Sequence, residues 1–548
     1  MKATGPSNLL AGVAPCIIRR LFATSENGSA PAGHNKAASR EQRTGGSMKK
    51  PVRVLSMIAA LLLAAAQAHG QNASAQAGAL LDAAVAAMGG ARVEQLNNFV
   101  MTGFGQRYNF NGNISADPNS PPKWQAVATS ERYFDLRGER ALVRERASNM
   151  FPFAAPFGMS LDTRERVQTG TALLDHPLSA LRAALARPAQ LGPVTVENGM
   201  AVVAFKLADG SPGWIALDPQ THLPYWARWV NGSTTLGDVT NTCYFTGYML
   251  VDGVRLPTGI MTKIDWRNQA TLMFQVDSYR LDLPALPPFP AANAAAPRRD
   301  AEVTTTKIAE GVWDVRVANG GSGGAVVEFA DHLVMFEPYG NEAEVFARVD
   351  AANKLVRGKQ VTAVVVSHHH DDHAGGLRAA VARGLTIIAQ RRTQALFEEW
   401  VSRPAVMFPD ALANNPRPLV FQPVDEHLVL EDSKHRLDVY HSVGDFHMSD
   451  ALIAYLPKEK ILMEGDFTDE TWTWNWWAGA VKANRDLYGI DPKLDVPVHG
   501  TPQSIEEKLA GAAKQVEAAQ RFCTENASRG SYPFGCPVRY ATTGLIEP

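Results

Sequence analysis

Val361-Thr362-Ala363-Val364-Val365-Val366-Ser367-His368-His369-His370-Asp371-Asp372-His373-Ala374-Gly375-Gly376 is the stretch on which the reading of this chain turns. Its first half is an almost unbroken β-branched and apolar run, the pattern of a strand buried on both faces. Its second half fits H-x-H-x-D-H through His368, His370, Asp372 and His373. Side chains alternate along a strand, so His368 and His370 emerge on one side. Asp372 and His373 fall in the turn beyond, where they face a second position, while His369 and Asp371 are expected to face away. Imidazole nitrogen and carboxylate oxygen are the donors that Zn²⁺ takes. Gly375-Gly376 read as a sharp turn into a helix over Leu377 to Ala382. A histidine cluster alone is also what a solvated metal-scavenging patch shows; the buried strand in front of it favours a built site.

Further along, His447 precedes Met448-Ser449-Asp450 and the apolar run Ala451 to Pro457, followed by Glu464-Gly465-Asp466 and Val498-His499-Gly500. These motifs, in this order behind H-x-H-x-D-H, resemble the metallo-β-lactamase superfamily over about residues 301–503. The resemblance implies a four-layer αββα fold with its site at one edge of a mixed β-sandwich. It implies that His368, His370 and His447 hold one zinc, that Asp372, His373 and His499 hold a second, and that Asp466 bridges them. Two zincs sharing a water would supply hydroxide near neutral pH and polarise a substrate carbonyl or phosphoryl. Asp372 would orient that nucleophile as the catalytic carboxylate.

His370 stands where the family's oxygen-reducing di-iron branch carries Glu, which favours hydrolytic zinc. Asp466, in place of Cys or Ser, resembles glyoxalase- and lactonase-like members more than the β-lactamases proper. Met448 replaces the usual Thr or Ser and Val498 the common Gly, and neither departure touches a ligand. His441 is a rival third ligand, but its distance to Pro457 does not fit. Trp472, Trp474 and Trp476 line a substrate mouth in one reading and pack between domains in another.

Outward from this core, the clearest linker is 286–300, where Pro287, Pro288, Pro290 and then alanines prevent regular structure. Before it, residues 77–285 change to short β-rich runs split by turns such as Asp209-Gly210 and Asp252-Gly253. They predict a mainly antiparallel, half-barrel-like accessory domain led by a helix around Ala79 to Met88. That domain shows no catalytic constellation; it suits an apolar ligand or partner, or a brace. Residues 301–548 form the expected catalytic domain, giving an α+β chain. Near its end, Ser504 with Glu507 has capping-box spacing.

At the other end, Met48-Lys49-Lys50-Pro51-Val52-Arg53, an apolar run Val54 to Ala66 and Ala66-Gln67-Ala68 make 48–68 a signal peptide. Translation is then expected to start at Met48, with 1–47 a leader that is either disordered or not translated. The run is too short for a stable membrane anchor, so a periplasmic or secreted protein is expected. Export permits a disulfide between Cys523 and Cys536; two free thiols are the alternative. Lys+Arg 53 against Asp+Glu 55 gives a net charge of −2, which excludes a basic nucleic-acid-binding field. The composite expectation is an exported dinuclear zinc hydrolase of an ester, lactone, thioester or amide with a small-molecule substrate. Its alternatives are a β-lactamase proper and a non-catalytic carrier with a structural metal.

Overall fold

The computed structural model describes residues 74–109, 113, 115–148, 162–290, 302–318, 322–443, 448–466 and 477–528. All lie in one compact unit, Ala65–Pro548. The expected leader and signal peptide, most of the linker and the chain beyond 528 lie outside the described residues.

The chain opens with a helix over 74–88. Ala77, Leu81, Ala84, Val85 and Met88 recur at helical spacing and are all buried. They face an 11-stranded antiparallel sheet running from Asn98 to Leu281. Its first strand, Asn98–Asn109, lies mid-sheet, and the chain works outward from it to Asp162–Thr169 at one edge. The helix Pro177–Leu185 then carries it across, and the remaining strands work back until Ala270–Leu281 pairs with Asn98–Asn109. Leu178, Leu181 and Ala184 of that crossing helix share the apolar cluster of the helix over 74–88.

Past the linker, two further sheets stack. The seven-stranded sheet runs from Val303 to Val424 and becomes parallel where Leu333–Phe336, Val361–Val365, Thr386–Gln390 and Val420–Val424 lie side by side. The six-stranded sheet runs from His427 to Ser504, with one parallel pair, Ile461–Glu464 beside Leu494–Pro497. Alternation sets the layers. Ala363 and Val365 face Val439, Ala454 and Met463 of the other sheet, whereas Val364 and Val366 face Val345, Leu377 and Phe397 on covering helices. On the far side, Ile453 and Leu462 pack on Ala480 and Val481 of the helix Trp477–Tyr488 and on Ile505 of Ile505–Ser528. Helix, sheet, sheet and helix make four layers, and with the N-terminal sheet the chain is α+β.

The two parts share buried surface. Leu236, Val239, Ile264 and Trp266 of the first sheet belong to the same apolar cluster as Leu396, Phe397 and Trp400.

Candidate metal centre

Every described ligand candidate sits just past the carboxyl end of a parallel strand. His368 and His370 follow Val361–Val365, Asp466 follows Ile461–Glu464, and His499 follows Leu494–Pro497. Both sheets therefore feed one edge, and Leu452 N–H donates to the Ser367 carbonyl at 2.7 Å to tie the sheets there. After His370 the chain forms a four-residue helix, Asp371–Ala374. Gly375 and Gly376 form the turn into the helix Leu377–Ala382, with φ values of −57° and −85° that any residue can adopt. Close packing is what requires them. A Cβ on Gly375 would lie 2.1 Å from the Gly340 carbonyl oxygen, and one on Gly376 would lie 2.2 Å from Val345 Cγ2.

The side chains form two groups, Asp372, His373, Asp466 and His499 in one, His368, His370 and Asp466 in the other, with the ligand atoms of each group within 4.8 Å of one another. Asp466 belongs to both through different oxygens. Its Oδ1 lies 2.8 Å from His373 Nε2 and 3.1 Å from His499 Nε2, while its Oδ2 lies 3.7 Å from His368 Nε2. Asp372 Oδ2 lies 3.5 Å from His499 Nε2 and 3.7 Å from His373 Nε2. His368, His370, His373 and Asp466 are buried, whereas the Asp372 carboxyl is half exposed.

Neighbouring groups aim the rings. Ser367 Oγ lies 2.8 Å from His368 Nδ1, turning Nε2 inward. Glu337 Oε2 lies 3.5 Å from His373 Nδ1 with both side chains fully buried. Glu337 holds φ +71° in the left-handed region, a strained backbone of the kind that concentrates at functional sites.

The electrostatics are those of a cation-seeking site. Burial alone would lower His373, but Asp466 and Asp372 drive it well above its ordinary value. His499 follows the same balance, burial against hydrogen bonds to Asp372 and Asp466, and is pushed up to about 9. Burial would raise Asp372, yet the charge of His373 and the hydrogen bond with His499 hold it below the usual carboxylate range. Buried nitrogen and carboxylate donors converging this closely fit divalent metal, whose charge replaces the protons these rings otherwise hold.

The other expectations fall as follows. His369 faces away and pairs with buried Asp450 at 2.9 Å; Asp371 is in neither group. His441 is also in neither, its Nε2 lying 3.0 Å from the Ser449 carbonyl. His447, Trp472, Trp474, Trp476 and Cys536 lie outside the described residues; Cys523 is disulfide-bonded. Sequence reasoning missed Glu337 and two residues of the N-terminal sheet region, Asn113 and Lys123, which reach His370. A lone buried Glu just past a strand and a hairpin more than two hundred residues upstream carry no motif that could have revealed them.

Residues 328–468 match the sequence model of the metallo-beta-lactamase superfamily. Among solved structures, a metallo-beta-lactamase from Pontibacter korlensis is 21% identical, with 38% of this chain and 98% of that one covered at a TM-score of 0.30. One from Hirschia baltica is 22% identical, with 39% and 97% covered at a TM-score of 0.29. The family match over residues 328–468, the four layers and the ordered motifs agree in giving the C-terminal part of this chain the metallo-β-lactamase fold.

Proposed function

We propose that the protein is an exported dinuclear zinc hydrolase that cleaves an ester, lactone, thioester or amide of a small molecule. The observation that carries the reading is Asp466, one carboxylate with an oxygen turned to each ligand group. His368 and His370 would hold one ion, Asp372, His373 and His499 the other. Ions held there would supply Lewis acidity toward a substrate carbonyl and would acidify water at the site.

The chain's own residues do the rest. Asp372 is the most exposed of these ligands, so substrate and water arrive on its side. Its carboxyl, held ionised by His373 and His499, orients a water and accepts its proton. The buried imidazoles exclude solvent from the opposite side and keep the carboxylates in place.

Export is supported by the basic-then-apolar segment 48–68 and by the disulfide at Cys523. Among the described residues no helix is long and apolar enough to cross a membrane. A ligand site in the N-terminal domain is supported by a cavity of about 790 Å³ in which apolar residues such as Val85 and Leu173 lie beside charged ones such as Glu139, Arg140 and Arg187.

Metal analysis of the mature protein should find two zincs per chain, with chelator-sensitive turnover on a panel of lactones, thioesters and β-lactams. Asp372→Ala should lower turnover by about 10²-fold or more with circular dichroism unchanged. Stoichiometric zinc without turnover across the panel would point to the carrier alternative. N-terminal sequencing should place the mature start near His69.

A further inference from the structure

The N-terminal sheet reaches across the molecule to one metal-ligand candidate. Asn113, buried between the strands Asn98–Asn109 and Lys123–Asp135, brings its backbone carbonyl oxygen to 2.9 Å from His370 Nε2. Lys123, also buried, brings Nζ to 3.4 Å from the same nitrogen. The two contacts ask for opposite tautomers. A carbonyl accepts only from Nε2–H, whereas an ammonium donates only to a bare Nε2. The carbonyl contact is at the centre of the hydrogen-bond range and the ammonium contact at its long edge, so the carbonyl decides. A neutral ring with its proton on Nε2 has its lone pair on Nδ1.

We propose that the N-terminal domain is part of the metal centre: the Asn113 carbonyl fixes His370 as the Nε2–H tautomer and presents Nδ1 to the ion. Metal affinity then depends on an element outside the domain that carries the ligands. The contact is held from both sides. Asn113 Nδ2 donates to the Ser120 carbonyl at 3.2 Å, which anchors the residue within its own hairpin. On the other side, Arg403 donates to the Leu236 and Asp238 carbonyls, and Asp238 accepts the N–H groups of Val406, Met407 and Phe408, which seats the sheet on the catalytic domain. A partner that orients a ligating histidine is worth about 10- to 100-fold in metal affinity. This inference rests on the reading of His370 as a ligand.

The test uses the full chain. Long-range ¹H–¹⁵N correlation spectra of ¹⁵N-histidine protein, with His370 assigned by its loss in His370→Gln, should show the Nε2–H tautomer before and after zinc is added. Asn113→Ala keeps the carbonyl but cuts its anchor to the Ser120 carbonyl, and zinc competition against a chromophoric chelator should show it binding one ion more weakly, by up to about 10-fold. Asn98→Ala cuts hydrogen bonds to Leu283 in the same sheet and should leave zinc affinity unchanged. An Nδ1–H tautomer in the wild type overturns the proposal while leaving the metal centre standing. A wild-type chain that takes up no zinc overturns the metal-centre reading and this proposal together. Should Asn113→Ala fail to fold, the wild-type tautomer alone decides.

Discussion

Gly465 shows how little room the centre leaves at the scale of one residue. A Cβ there would lie 2.4 Å from Ser367 Oγ and 3.1 Å from His368 Nδ1, the pair whose contact turns His368 inward. Gly465→Ala must therefore push Ser367 or His368 aside. It should cost about 1–3 kcal/mol of stability and weaken the ion near His368 by about 10-fold or more. Denaturant unfolding and chelator competition check the two effects separately, and an unchanged zinc affinity would show that the His368 ring does not need Ser367. The clustered ligand candidates could be read from sequence because His368, His370, Asp372 and His373 fall within one strand end and one turn, where alternation alone fixes direction. Asp466 and His499 could be read because short motifs accompany them. Glu337 and Asn113 could not. The first acts through ring orientation, and the second through a backbone carbonyl, which every residue type possesses.

At the level of the element, His176 shows a histidine doing structural work. It caps the helix Pro177–Leu185, its Nδ1 accepting the Leu178 N–H, and it packs among Phe99, Phe134 and Tyr279. Burial, aided by the charge of Arg132, lowers it from 6.5 to about 3. Between those values the unfolded chain binds a proton that the folded chain refuses, so stability falls as pH drops through this window. The full effect is up to about 5 kcal/mol. Urea unfolding between pH 4 and 7 should show that slope in the wild type and a flatter one in His176→Asn, which keeps a capping acceptor and cannot titrate. Equal slopes would mean His176 is not the group responsible. Element types were legible where periodicity was clear: Ser504 and Glu507 form the expected capping box, Ser504 Oγ accepting the Glu507 N–H at 3.1 Å. The helix Glu342–Ala352 ends where Asn353 Oδ1 accepts the Val361 N–H, and Gly358 takes φ +83° in the connection beyond it. Such a long-range side-chain bond leaves no periodic trace. Neither does the pairing of Asn98–Asn109 with Ala270–Leu281, which the sequence leaves open.

For the whole molecule, the question is whether a sheet that carries none of the metal ligands can unfold without disturbing the ions. The interface argues that it cannot. Trp266, Ile264 and Leu236 bury themselves among Phe397 and Trp400, so neither part has its own complete apolar cluster at this face. Polar contacts then fix the angle of seating. Arg403 donates to two carbonyls and pairs with Asp265 at 3.0 Å, and Asp238 collects three successive N–H groups. The Asp265 carboxyl is partly exposed, so the ion pair itself adds little, and the hydrogen bonds to Arg403 and Asp238 carry most of the effect. Removing them in Arg403→Ala with Asp238→Ala should cost about 3 kcal/mol. Calorimetry of the wild type should show the described parts melting in one transition that zinc raises as a whole. The double variant should split it, with zinc raising only the transition of the ligand-bearing domain. A wild type that already melts in two steps, only one of them sensitive to zinc, would show that the N-terminal sheet is a separable passenger.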